Sequence, residues 1–398
     1  GLIRKTLFSL VKGTHVPIFI NENNVLRINP YVDFENSSYD RHYQKLFNRY
    51  SSVGRYVFDL AVERYIIENS IYQYKNYQNK KIKCYLVVLN ANYVFDGKYV
   101  DGYPVYGPDK NNNELVTFID LTDITMQYQE MINTQRDILT KYIDNLSADP
   151  VNVGRYCERK SMSKCPFVKT CWKKALEPGS ILEYLGNHHG FTDDDGQKHD
   201  VIDLVNSGNV KMDSIPISWL NRENNIIQRQ CYDKGIEYLN KDKIIKGINT
   251  ITYPIYHLDF ESFPSPLPRF SGETPYTQSL FQYSLHVERK MGVCDKNQDH
   301  YEFLARDNSD HRLEMVTKMI EDIDLSNGGT VLVYNKSFEH TRIKELAIIF
   351  PQYKKELEKI NDHMFDLMDI VSTRSAFYMD LGFSEEEGKM INFYNNNL

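Results

Sequence analysis

Tyr253-Pro254-Ile255-Tyr256-His257-Leu258-Asp259-Phe260-Glu261 is the stretch on which the fold of this 398-residue chain turns. Its β-branched and aromatic residues predict a buried strand over 251–260. On a strand, Asp259 and Glu261 leave the same face while Phe260 points into the core. Two carboxylates side by side on rigid backbone repel strongly unless a cation lies between them. A hard, oxygen-seeking ion such as Mg²⁺ suits that pair, and Mn²⁺ is the alternative. Two such ions activate water and stabilise the leaving oxygen in phosphodiester cleavage. An Asp-x-Glu alone is equally compatible with two solvated acids at a strand end.

Further along, Gln282 to Arg289 and Thr330 to Tyr334 read as strands, and Ser337 to Phe350 as a helix ended by Pro351. Asn335 and Ser337 suit the cap of that helix. Glu339 falls in its first turn, where an acid complements the helix dipole. Strands and helices in this order imply a mixed α/β domain over residues 251–398.

Five blocks stand in order: the 253–261 stretch, Pro275-Tyr276, Phe281 to His286, Tyr334 to Glu339, and Phe365-Asp366-Leu367-Met368. Together they resemble an uncharacterised bacterial family of DnaQ-like exonuclease domains, over about residues 180–375. That family often follows an iron–sulfur RecB-type, PD-(D/E)XK nuclease module. The resemblance implies an RNase H-like mixed sheet and 3′–5′ exonuclease chemistry. It makes Asp259, Glu261 and Glu339 the candidate catalytic, metal-holding acids, with Glu339 standing where the superfamily has an Asp. It also implies a last acid with a nearby His or Tyr base, of which no convincing version precedes Leu398. Asp366 is the candidate stand-in ligand, with Asp369 and His363 behind it; capping the helix that follows is the structural alternative for Asp366.

Upstream, Cys157, Cys165 and Cys171 lie within fifteen residues. Thiolates are soft ligands, suited to iron–sulfur clusters or zinc. The spacing resembles the C-terminal cysteine triplet of RecB-type iron–sulfur nucleases, which implies a [4Fe-4S] cluster with zinc as the alternative; buried, unligated thiols are the third reading. The family's fourth cysteine would precede Gly1, and a chain starting at Gly1 reads as a fragment or processed product. Seven basic residues against the single acid Glu158 fall between Arg155 and Lys174 in a chain of net charge −7. Arg155, Lys160, Lys164, Lys169 and Lys173, with Asn335, are therefore candidates for nucleic-acid contact, DNA ahead of RNA; a solvated loop explains the charge equally well.

Residues 1–150 read as mixed α/β, with a helix over 56–68, a strand over 83–89 and one long helix over 122–146. Ile28 to Phe34, including Asp33, resembles the aspartate strand of a RecB-type module, and Tyr56 to Tyr65 its following helix. Asn48-Arg49-Tyr50-Ser51-Ser52 occupies the place of Glu-x-Lys, so both chemical groups are absent and the module is expected to be inactive. The expected order is this degenerate module over 1–150, a cysteine segment over 151–178, a helical connector over 179–250 and the DnaQ-like domain. His188, His189 and His199 with Asp193 to Asp195 read as a solvated loop, His257 and His286 as structural groups, and Asn395 to Leu398 as a disordered tail. No run of eighteen apolar residues and no secretory pattern is present, which points to the cytoplasm. Besides a DNA exonuclease, a catalytically inactive nucleic-acid binder or a protein-interaction scaffold fits these features.

Overall fold

A computed structural model describes residues 2–3, 17–30, 37–71, 74, 80–145, 152–154, 157, 165–187, 189–372 and 375–395. The chain adopts the expected α/β class, with several mixed sheets. It divides into two units, Gly1–Asp149 with Ser262–Ser279, and Pro150–Glu261 with Leu280–Leu398. Among the described residues no helix is long and apolar enough to cross a membrane.

In the first unit, Phe19–Glu22 and Val25–Ile28 form a hairpin turned by Asn23 and Asn24, both at positive φ. Asn tolerates the left-handed region that such a tight turn demands. Tyr85–Asn90 pairs antiparallel with Val116–Asp120, which in turn lies parallel to Val25–Ile28. The helix Gly54–Ile71 lays Val57 and Ala61 against Ile119, Leu121 and Ile124 of this core. The single helix expected over 122–146 is instead Thr122–Gln127 followed by Gln129–Asp144. Its break falls at Tyr128, a buried residue whose hydroxyl donates to the Leu46 carbonyl oxygen at 2.6 Å.

Asn48–Ser52 is a turn, not a strand carrying Glu-x-Lys. Asn48 Oδ1 accepts from the Tyr50 amide, and Ser51 Oγ accepts from the Gly54 amide, so side chains compete here with any ladder. Gly54 is required because a Cβ would sit 2.1 Å from the Asn48 carbonyl oxygen. Asp33 lies outside the described residues.

The unit's second stretch of chain, Ser262–Ser279, is woven into the loop 91–113. The Phe95 amide donates to the Glu273 carbonyl, and the Gly272 amide donates back to Phe95, both at 2.9 Å. Phe95 and Glu273 are each 1% exposed. The Glu273 carboxylate is anchored by the Arg269 and Phe270 amides and the Ser279 hydroxyl.

In the second unit, the segment expected as a helical connector is only partly helical. A small core of Trp172, Tyr184, Val201, Met212 and Ile215 carries a hairpin, Phe191–Thr192 with Lys198–His199, around Asp193 to Gly196. Asp193 organises that turn by accepting from the Asp195 and Gln197 amides and from His199. Tyr238–Leu239 pairs with Phe393–Tyr394 near the chain end; residues 396–398 lie outside the described set.

The main sheet comprises β1 (Ile255–Pro264), β2 (Gln278–Glu288), β3 (His300–Leu304), β4 (Thr330–Val333) and β5 (Met364–Asp366), ordered β3-β2-β1-β4-β5. β2 and β3 are antiparallel, whereas β1, β4 and β5 run parallel, with Tyr256 opposite Val331 and Val331 opposite Met364. Alternation puts Tyr256, Leu258 and Phe260 of β1, with Tyr283, Leu285 and Val287 of β2, on one face. Helices α1 (Arg312–Asp322), α2 (Ser337–Ile349) and α3 (Lys354–Asp362) contribute Met315, Met319, Ile343, Leu346, Leu357 and Ile360 to the same core.

Elsewhere in the second unit, Lys243 is 1% exposed. Its ammonium donates to the carbonyls of Glu387 and Met390, both at 2.8 Å, and lies 4.4 Å from the Tyr378 ring centroid. Burial pulls this lysine down to about 8. A depressed base binds fewer protons in the folded than in the unfolded state, so stability rises with pH above about 8 towards the ordinary lysine range. Thermal unfolding between pH 8 and 10 should show that rise, and Lys243→Met should flatten it; an unchanged slope would place the shift elsewhere.

Candidate functional site

Parallel strands converge at their carboxyl ends, and ligands of such sheets bind where the strand order reverses. Here that reversal lies between β1 and β4. Asp259 and Glu261 lie beyond the last ladder pair of β1 with β4, His257 opposite Leu332. Both are exposed, with buried Phe260 between them, as the period of two requires.

β4 ends at Val333, and the chain turns sharply through Tyr334, Asn335 and Lys336. Asn335 has φ of 62°, in the left-handed region that Asn tolerates better than most residues. The turn is held from the neighbouring strand. Asp366, at the end of β5 and 3% exposed, accepts from the Asn335 amide at 2.8 Å, the Lys336 amide at 3.1 Å and the Met368 amide at 3.0 Å. Asn335 does not cap α2: its side chain accepts from Ser337 Oγ at 3.1 Å, and the first residue, after Lys336, has no side-chain cap. Asp366 thus ties the turn before α2 to the start of the helix Met368–Val371 through backbone amides, without being the N-cap of either helix.

Glu339 completes the group from the first turn of α2. It is 5% exposed, and its Oε2 has no hydrogen-bond partner. Burial pushes its carboxyl above the ordinary range, and the charges of Asp259 and Asp366 push it further up. Three acids from three elements thus share one electrostatic field. An orphaned, buried carboxylate oxygen facing two further acids fits a hard divalent cation, which would relieve both repulsion and desolvation. Among the described residues no three His, Cys, Asp or Glu side chains are grouped closely enough to hold a metal ion as they stand. His363 turns away, its Nδ1 lying 2.9 Å from the Lys359 carbonyl, and Asp369 lies in the first turn of the helix Met368–Val371.

Of the cysteines, Cys157 is buried and Cys165 half-buried in the small core around Trp172, whereas Cys171 ends its short helix exposed. Lys169 and Lys173 are exposed in the same segment; Arg155, Lys160 and Lys164 lie outside the described residues.

A model for a domain of unknown function, DUF2779, matches residues 256–385. An uncharacterized protein of Mycoplasma genitalium is 30% identical over 159 residues, 38% of this chain and 23% of that protein. An uncharacterized protein of Ureaplasma parvum is 30% identical over 115 residues, 28% of this chain and 16% of that protein. The chain thus spans less than a quarter of the length of these curated relatives. No solved structure matches.

Because the buried Asp366 carboxylate satisfies three backbone amides, Asp366→Ala should cost roughly 2–4 kcal/mol of stability in chemical denaturation, more than one neutral hydrogen bond. Asn335→Gly should be near neutral and Asn335→Val destabilising, since only the former suits positive φ.

Proposed function

We propose that the second unit carries a DnaQ-like, RNase H-type domain that hydrolyses nucleic-acid phosphodiester bonds with Mg²⁺ or Mn²⁺. DNA is the favoured substrate and 3′–5′ exonuclease the favoured class. The observation that carries this reading is the orphaned Glu339 carboxylate, raised above the ordinary range by burial and set against Asp259 and Asp366 at the carboxyl ends of parallel strands. The five ordered sequence blocks support it, and the family match spans four of them within residues 256–385.

In this reading Asp259, Glu261 and Glu339 hold the ions, and the chemistry supplied by bound metal is activation of water and stabilisation of the leaving oxygen. Asp259 and Glu261 are fixed in orientation by the β1 backbone. Burial raises the Glu339 carboxyl above the ordinary range, and a bound cation would favour its ionised form. Asp366 already gives three acceptor positions to backbone amides, so its part is to fix the turn that presents Glu339. The first unit is read as a decayed RecB-type module whose Glu-x-Lys position is the Asn48–Ser52 turn. A [4Fe-4S] cluster or zinc at Cys157, Cys165 and Cys171 belongs to the same reading, as does a cytoplasmic location, and no catalytic step depends on either.

A second reading, an inactive nucleic-acid binder, is favoured by the commitment of Asp366 to backbone. The test is hydrolysis of end-labelled single-stranded DNA by the purified protein with Mg²⁺ or Mn²⁺. Asp259→Ala and Glu261→Ala should each lower the rate by at least about 100-fold, of the order expected for lost metal ligands. Activity should rise with pH through the elevated Glu339 range, because the metal-binding form is the ionised one. Equal rates in the variants would remove the metal site, and salt-sensitive binding without cleavage would establish the second reading.

Without metal, Glu339→Gln should stabilise the fold by on the order of 1 kcal/mol at pH above the raised Glu339 range, where it removes a buried charge without partners. The same variant should bind Mn²⁺ more weakly.

A further inference from the structure

Helix α2 carries two faces of different chemistry. Glu339 belongs to the acid group, whereas His340, about 100° further round the helix, lines a cavity between α2 and α3. The cavity measures about 680 Å³, within the range of small-molecule sites. His340, Lys344 and Ile348 line it from α2 as one helical stripe, and Lys354, Glu358 and Asn361 do so from α3. Asn361 Nδ2 donates to the His340 carbonyl at 3.3 Å, so the end of α3 meets the start of α2. Asn361 is 9% exposed, yet its Oδ1 has no hydrogen-bond partner, and neither has the buried His340 Nδ1. One end of the cavity thus holds an unmet acceptor beside an unmet imidazole nitrogen. Ala347, Ile348 and Pro351 make the far end apolar. Glu358 is taken by Lys354 at 3.6 Å, which leaves the exposed Lys344 as the cation available on the α2 wall.

We propose that this cavity binds a mononucleotide, with the base edge on His340 and Asn361 and the phosphate on Lys344. Every nucleobase edge sets a hydrogen-bond donor beside an acceptor. The base N–H donates to Asn361 Oδ1, and the His340 ring, in its Nδ1-protonated tautomer, donates to the neighbouring acceptor. Burial, then Lys344 and Lys336, lower the basicity of His340, which keeps the ring neutral at pH 7. Two buried polar groups without partners are unfavourable, so a ligand that satisfies both gains on binding. Lys344 lies one turn, about 6 Å, along α2 from His340, and its flexible stem reaches past the sugar to the phosphate. Asp362, exposed at the base end, repels the phosphate there and so fixes the orientation. Binding needs no metal ion, and the site stands whether or not the acids hydrolyse phosphodiesters.

Calorimetric titration of the whole chain with AMP in EDTA tests this, with ribose 5-phosphate as the control that lacks a base. AMP should bind at least about tenfold more tightly than ribose 5-phosphate, and Asn361→Leu and His340→Phe should each abolish that advantage. Lys344→Ala should weaken AMP at least about fivefold and leave adenosine, which has no phosphate, unaffected. Asp259→Ala should leave AMP affinity unchanged, which separates this site from the carboxylate group. Should the Asn361 and His340 variants misfold, Lys344→Ala at an exposed position and AMP-induced shifts of the His340 ring-proton NMR signals in the unaltered chain carry the same information. Absence of binding up to about 5 mM AMP, equal affinity for AMP and ribose 5-phosphate, indifference to Lys344→Ala, or loss of affinity in Asp259→Ala overturns the assignment.

Discussion

The three amide donors gathered by the Asp366 carboxylate are the constraint on which the functional end of the main sheet depends. A hydrogen bond to a charged acceptor is worth about twice a neutral one, and these three close two turns simultaneously. They couple the end of β5 to the start of α2. With the carboxylate in place, Asn335 is held in its left-handed conformation and α2 starts at a fixed point. The direction in which Glu339 enters the fold follows from that geometry.

Glu339 is the residue that this rigid geometry places. A carboxylate that is 5% exposed with an unpaired oxygen is unfavourable for folding, and proximity to Asp259 and Asp366 adds to the cost. Local consistency would favour an apolar residue at such a position. Departures from it cluster where a protein binds something, because the missing partner is supplied from outside.

Much of this was legible in the sequence. The alternation of Ile255 to Glu261 set the strand, its inward Phe260 and the shared face of the two acids, because a period of two leaves no freedom. The position of Glu339 in a first helical turn could also be read. Its burial could not, because that depends on contacts with β1 and β5 made some eighty and thirty residues away. The sequence pattern left Asn335 as a helix cap, whereas long-range donation to Asp366 displaced the local alternative. β3 escaped notice because five residues, His300 to Leu304, carry too short an alternation to stand out, and His300 went with it. The connector over 179–250 was read as helical with a polar loop at Asp193 to Gly196; the loop is there, as a hairpin turn held by Asp193 and His199, but the helices around it are short and separated by irregular segments.

The threading of Ser262–Ser279 through the first unit has a consequence for how the chain acquires its structure. During synthesis, residues 1–149 emerge long before their last structural component. Phe95 and the loop around it must wait for the Gly272 and Glu273 backbone before their own amide and carbonyl are satisfied. The earlier-made unit is therefore finished later, after the first strand of the main sheet has been made. A protease cut within Ser262–Ser279 would undo the amino-terminal unit without removing any residue numbered below 150. Sequence order and order of completion run in opposite directions in this protein.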